Sequence, residues 1–178
     1  MFYKNILSFN ILCGFVILHL IIPYNILASE EKLVIAHRGA SGYIPEHTLE
    51  SSVLAYAMKA DYLELDVVMT SDRHLIIMHD LTLNGTTNVD EIFPNRSGTN
   101  GKHFTMEFSL AEVKRLRVHE RSNKRGSGPA FIGRFPYESS IFEVPTLEEI
   151  LKLVKGLKKS HGRTMGLYIE IKGAKIGR

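Results

Sequence analysis

LVIAHRGASGYIPEH, residues 33–47, begins as a strand and ends in reactive polar side chains. Leu33, Val34, Ile35 and Ala36 form a short apolar run bounded by turn residues, the pattern of a core strand covered on both faces. His37 and Arg38 stand at its carboxyl end, and Gly39, Ser41 and Gly42 then let the backbone turn sharply and come close to a ligand. In α/β proteins ligands bind at the carboxyl ends of parallel strands, so this stretch sets the expectation for fold and site together. A strand cap with a hydrogen-bonded histidine would read the same way in isolation, so the rest of the chain decides.

Downstream, Thr48 caps a predicted helix from Leu49 to Lys59, whose apolar residues Leu49, Val53, Leu54, Ala57 and Met58 recur at the spacing of one buried face. DYLELDVVM (61–69) reads as a second strand; beyond the turn Ser71-Asp72-Arg73, Leu75 to Met78 reads as a third that ends at His79-Asp80. The stretch of about 83–145 is too long for a simple connection and carries Asn-, Gly- and Ser-rich loops, which marks it as an insertion with partial structure of its own. Inside it, Ser109 and Glu112 form a capping box before Leu110, Val113 and Leu116. Thr146 and Glu149 form another, opening a helix with an apolar face of Leu147, Ile150, Leu151, Val154 and Leu157. GLYIEIK (166–172) is the last strand. Strands alternating with helices in this order predict an α/β fold: a parallel sheet with covering helices.

Upstream, residues 1–29 carry Lys4 as their only charge, and Ile6 to Ile22 is almost unbroken apolar sequence. This is the pattern of a signal peptide cut near Ala28 or Ser29, or of an N-terminal anchor if it is not cut, and it predicts an exported protein, periplasmic or in the cell envelope. Cys13, the one cysteine, lies inside that segment, so residues 30–178 hold no disulfide, thiolate metal site or cysteine nucleophile. Without Lys4 the formal charge falls from +3 to +2, which argues for neither nucleic acid nor a polybasic membrane surface. Any membrane contact is expected only through the uncut N-terminal segment. The basic cluster Lys114, Arg115, Arg117, Arg121, Lys124 and Arg125 reads as a solvated helix and loop.

Side chains alternate across a strand. Leu63, Leu65 and Val67 should therefore face the helices, with Glu64 and Asp66 on the opposite side; Leu167, Ile169 and Ile171 should likewise face the helices, with Glu170 and Lys172 opposite. His37 follows Ile35 and His79 follows Ile77 at strand ends, so His37, Glu64, Asp66, His79, Glu170 and Lys172 are expected at a common mouth. Three inward carboxylates are costly to desolvate unless positive charge compensates, and an all-oxygen set suits a hard divalent cation, Ca²⁺ or Mg²⁺. An ion network in which Arg38 and Lys172 neutralise the acids is the alternative.

HRGASGYIPEHT (37–48), LELDV (63–67), MHD (78–80) and EIK (170–172), in this order and spacing, resemble the glycerophosphodiester phosphodiesterase family, especially its exported bacterial members. The resemblance is close over about 33–90 and resumes near 144, with the family's kind of insertion between. It implies a TIM-type (β/α) barrel and hydrolysis of small glycerophosphodiesters to sn-glycerol 3-phosphate and an alcohol. Carried over residue by residue, it implies Glu64, Asp66 and Glu170 as metal ligands, His37 and His79 as the acid–base pair, and Arg38 and Lys172 as phosphate contacts, with Glu46 in support. Which histidine is acid and which is base is left open.

A complete barrel of this type needs about 250 residues, and residues 30–178 provide about four strands of it. The expectation is therefore the N-terminal half of a phosphodiesterase barrel, with open sheet edges and a possible association of half-barrels. Two other functions compete: a non-catalytic relic or envelope protein that keeps the site residues, and a phospholipase-D-like enzyme of the same superfamily acting on intact lipids.

Overall fold

The computed structural model describes residues 32–123, 128–135 and 140–173. The expected leader at 1–29 lies outside these residues, as do Lys124 and Arg125. The strands are β1 (Ile35–Ala36), β2 (Tyr62–Met69), β3 (Leu75–Ile77) and β4 (Gly166–Ile171). β2 is the strand on which the others assemble. β1 joins it in parallel with Ile35 opposite Tyr62, and β4 joins it in parallel with Asp66 opposite Glu170. β3 departs from the expectation of a wholly parallel sheet, because the turn at 70–74 folds it back as an antiparallel hairpin with Val67 opposite Ile77. Five residues are too few for the crossover that a parallel connection requires.

Among the described residues the α-helices are α1 (Leu49–Ala57), α2 (Val89–Ile92), α3 (Leu110–Val113) and α4 (Leu147–His161). Both expected capping boxes are present, Ser109 with Glu112 at α3 and Thr146 with Glu149 at α4. α4 ends on Gly162 in the left-handed conformation, φ 73°. The chain packs in two cores, one on each face of the β2–β3 hairpin. On one face Leu63, Leu65, Val67 and Ile77 meet Ala55 and Tyr56 of α1 and Ile150 of α4. On the other, Val68, Ile76 and Met78 anchor Leu83, Val89, Phe93, Phe108, Val113 and Leu116. The described residues of 83–145 thus form a lobe on the far end of β2, and Glu64 and Asp66 lie on the same face nearer its start. Each fully buried aliphatic or aromatic side chain here contributes about 1.5–3 kcal/mol relative to exposure.

Four expected faces are corrected. Leu33 to Ala36, expected to be a core strand covered on both faces, forms only the two-residue β1, and Leu33, Val34 and Ile35 are exposed, because among the described residues β1 has β2 alone beside it. α1 ends two residues early and buries Ser51, Ser52, Ala55 and Tyr56, while Val53 and Met58 are exposed. Serines can occupy that face because their hydroxyls donate to the Thr48 carbonyl, both at 2.9 Å, and the Tyr56 hydroxyl donates to the Arg163 carbonyl at 3.0 Å. On α4, Leu151 is exposed while Ile150 is buried. On β4, Leu167 packs against the helices, but Ile169 and Ile171 are exposed, Ile171 by 72%. Among the described residues β4 pairs only with β2, and no helix covers its last turn of sequence. A cavity of about 540 Å³ opens beside it, lined by Val67, Met69, Leu75, Phe104, Met106 and Ile171. No helix among the described residues is long and apolar enough to cross a membrane.

Candidate metal and phosphate site

The parallel register that sets Asp66 beside Glu170 puts both on one face, and Glu64, two residues before Asp66, shares it. One carboxylate oxygen from each of Glu64, Asp66 and Glu170 lies within 4.8 Å of the others. Glu64 and Asp66 are buried and Glu170 is exposed. Lys172 follows on the same face: its Nζ lies 2.6 Å from Glu170 Oε1 and 3.0 Å from Asp66 Oδ1.

The loop after β1 closes over this face. Arg38 donates its backbone N–H to Glu64 Oε2 at 2.8 Å, and its guanidinium reaches Asp66 Oδ2 at 3.4 Å and Glu46 Oε1 at 3.1 Å. Arg38 and His47 both have φ of 62°, a left-handed conformation that costs a non-glycine residue on the order of 1 kcal/mol or more. The His47 N–H donates to the Arg38 carbonyl at 3.0 Å and ties the loop ends together. Gly39, φ 80°, is required here, because an added Cβ would lie 2.4 Å from Ser51 Oγ.

His47 was not among the residues expected to carry the site. It is buried, and its Nε2 lies 2.9 Å from Asp66 Oδ2. Burial pushes the Asp66 carboxyl up, but the hydrogen bond with His47 and the ammonium of Lys172 outweigh it, so Asp66 is held far below the ordinary carboxylate range. The ionised acid can therefore serve as a ligand at any physiological pH.

His79 stands in the bend after β3 and not on the strand, so strand alternation does not set its direction. Its Nδ1 is 2.6 Å from Asp80 Oδ1. Among the described residues no hydrogen bond or ion pair ties the His37 ring to the acidic triad; His37 is exposed and lines a cavity of about 270 Å³ with Val34, Tyr43 and Met58.

The lobe formed by the described residues of 83–145 contributes Arg121. Its Nε and Nη2 donate to the two oxygens of Glu46, at 2.9 and 2.6 Å, and its Nη1 donates to Asp80 Oδ2 at 2.7 Å. The expectation that the basic cluster is solvated is corrected at Arg121, which is only 20% exposed. Lys114 binds Glu149 and the Val144 carbonyl, and the Arg115 guanidinium lies over the Phe93 ring. A run of basic residues in sequence cannot show that its members point inward at different partners.

Burial pushes Glu46 and Asp80 up, yet Arg121, with His79 at Asp80, outweighs it and both carboxyls end below their ordinary values of 4.5 and 3.8. The folded chain therefore binds fewer protons there than the unfolded chain. The stability they add is full above about pH 4.5 and is lost as the pH falls. Urea midpoints measured from pH 6 down to about pH 3 should drop steeply in the parent and less steeply in Glu46→Gln; equal slopes would refute the assignment.

The donor set fits a hard divalent cation. All three groups are carboxylates, and the buried Asp66 Oδ1, which meets the Lys172 ammonium at 3.0 Å, has a second lone pair for a cation.

These features agree with the comparisons. Residues 37–176 match the Glycerophosphoryl diester phosphodiesterase family. The chain is 42% identical over 150 residues to the glycerophosphodiester phosphodiesterase of Haemophilus influenzae, covering 83% of this chain and 41% of that protein. It is 39% identical over 146 residues to the enzyme of that name from Treponema pallidum, covering 81% and 41%. The fold is similar to that of a Silicibacter pomeroyi protein assigned as a glycerophosphoryl diester phosphodiesterase, with TM-score 0.65, 28% identity, and coverage of 82% of this chain and 47% of that one. It is also similar to an Oleispira antarctica phosphodiesterase solved with its product sn-glycerol-3-phosphate, with TM-score 0.54, 30% identity, and coverage of 79% and 44%. The chain thus spans about two-fifths of the length of the curated relatives it matches, and its sheet and helices correspond to part of a TIM-type barrel. Motifs, fold and relatives agree: the chain belongs to the glycerophosphoryl diester phosphodiesterase family.

Proposed function

We propose that this chain carries the metal- and phosphate-binding part of an exported hydrolase that cleaves glycerophosphodiesters to sn-glycerol 3-phosphate and an alcohol. The observation that carries this reading is the convergence of Glu64, Asp66 and Glu170 within 4.8 Å beside two cations, Arg38 and Lys172. A Ca²⁺ or Mg²⁺ ion held by the three carboxylates would supply positive charge where it develops on the phosphoryl oxygens. Arg38 and Lys172 would bind the remaining phosphate oxygens, Arg38 through its fork and Lys172 as a point charge.

The proton transfers fall to the histidines. An ionised Asp80 can only accept, so the short contact places a proton on His79 Nδ1 and leaves Nε2 to take one from the attacking hydroxyl. His37, exposed just after β1, is then the group that protonates the departing alcohol. The exposed apolar side of β4 gives the remaining strands of a barrel, or a second half-barrel, a surface to cover.

The test is turnover of glycerophosphocholine by the full chain with Ca²⁺ or Mg²⁺ supplied and then chelated, with sphingomyelin as the contrasting substrate. Release of glycerol 3-phosphate that stops on chelation is expected. No turnover with either ion would favour a non-catalytic role, and preference for sphingomyelin a phospholipase-D-like one.

A further inference from the structure

Arg121 comes from the lobe formed by the described residues of 83–145, yet it joins two side chains that each hold a functional residue. Its Nε and Nη2 grip Glu46, whose Oε1 also takes Arg38 Nη1 at 3.1 Å. Its Nη1 grips Asp80 Oδ2, while Asp80 Oδ1 contacts His79 Nδ1. The geometry is a continuous chain of charge-assisted bonds, Arg38–Glu46–Arg121–Asp80–His79. The planar guanidinium meets three carboxylate oxygens with three separate nitrogens held in fixed directions; an ammonium keeps the charge and loses the fork. The local backbone makes room for it. A Cβ on Gly85 would lie 2.8 Å from Asp80 Oδ2, and Ser122 fixes the Arg121 segment by donating its N–H to the Gly85 carbonyl at 2.9 Å.

We propose that Arg121 is a positioning residue: it sets the orientation of His79 through Asp80 and of Arg38 through Glu46, so that the lobe holds the proton-transfer and phosphate groups in mutual register. This rests on the function proposed above, but it is tested apart from it. Arg121 bonds to Glu46 and Asp80 and, among the described residues, makes no hydrogen bond or ion pair with the triad, so its effect travels through those two carboxylates. A merely structural role, neutralising the buried Glu46 and the half-buried Asp80, would be met by any cation.

The experiment compares the full chain with Arg121→Lys, Arg121→Met and Gly85→Ala. Long-range ¹H–¹⁵N spectra of the His79 ring read where its proton sits. The parent should show the Nδ1–H form alone. Arg121→Lys and Gly85→Ala should show a mixture with Nε2–H, because Asp80 loses the contact that fixes its rotation, and Arg121→Met should do the same if it folds. Where turnover is measured, Arg121→Lys should lose about 10- to 100-fold in kcat while its urea midpoint stays near the parent's. An unchanged single Nδ1–H form in Arg121→Lys and Gly85→Ala, or a parent-like kcat in Arg121→Lys, would overturn the proposal. A parent chain without turnover would instead remove the proposed activity, and the ring spectra would still decide about Arg121.

Discussion

Asp66→Asn should weaken divalent-cation binding by about 100-fold or more and remove about 3–5 kcal/mol of stability. Asp66 is only 1% exposed, and three cationic or hydrogen-bonding groups converge on it: His47 at 2.9 Å, Lys172 at 3.0 Å and Arg38 at 3.4 Å. The amide keeps the shape and loses the charge, leaving Arg38 and Lys172 crowded around a neutral group whose NH₂ must face a donor. Calorimetric titration of Ca²⁺ and Mg²⁺ into the full chain, with urea unfolding alongside, measures both effects. Parent-like cation affinity would remove Asp66 from the ligand set, whatever happens to stability. Glu170→Gln makes the useful contrast: Glu170 is exposed, so the change should lower affinity with little loss of stability.

His79→Ala should lower kcat by about 10²- to 10⁴-fold, the usual worth of a positioned proton-transfer group. KM should move little, because the proposed phosphate contacts are Arg38 and Lys172. Asp80→Asn should reproduce part of this loss: an amide can present its NH₂ to Nδ1 and favour the opposite tautomer, so Nε2 would carry the proton it needs to accept. Steady-state assays on glycerophosphocholine check both. A fully active His79→Ala would transfer the base role elsewhere, with His37 the next residue to substitute.

Strands β2 to β4 and their polar ends were legible in the sequence because periodicity two and the bounding turn residues leave little choice; β1 was not, since Leu33, Val34 and Ile35 have the composition of a core strand yet stay exposed where β2 is the one strand beside them among the described residues. LELDV placed Glu64 and Asp66 on one face and Leu63 and Leu65 on the other, and the buried cores follow that division. Capping boxes at Ser109 and Thr146 likewise need only four consecutive residues. What the sequence hid is what depends on distant partners. Ser51 and Ser52 sit on the buried face of α1 because Gly39 packs against Ser51 and both hydroxyls bond backward to Thr48. Ile169 and Ile171 carry the right alternation but meet no helix among the described residues. His47 was visible as part of PEHT, but its contact with Asp66 depends on a left-handed backbone that no propensity forecasts. Arg121 had no signal except its place in a basic run, and its partners are 41 and 75 residues away.

The segment from Arg38 to His47 is a ring closed by a backbone hydrogen bond between its ends and entered through two left-handed residues. Its entropic penalty is therefore met when the chain folds and not when an anion docks. Recognition at this ring should proceed with little induced fit: its bound and free shapes should coincide, and loosening the clasp should slow neither encounter nor collision but shorten the residence of whatever it holds.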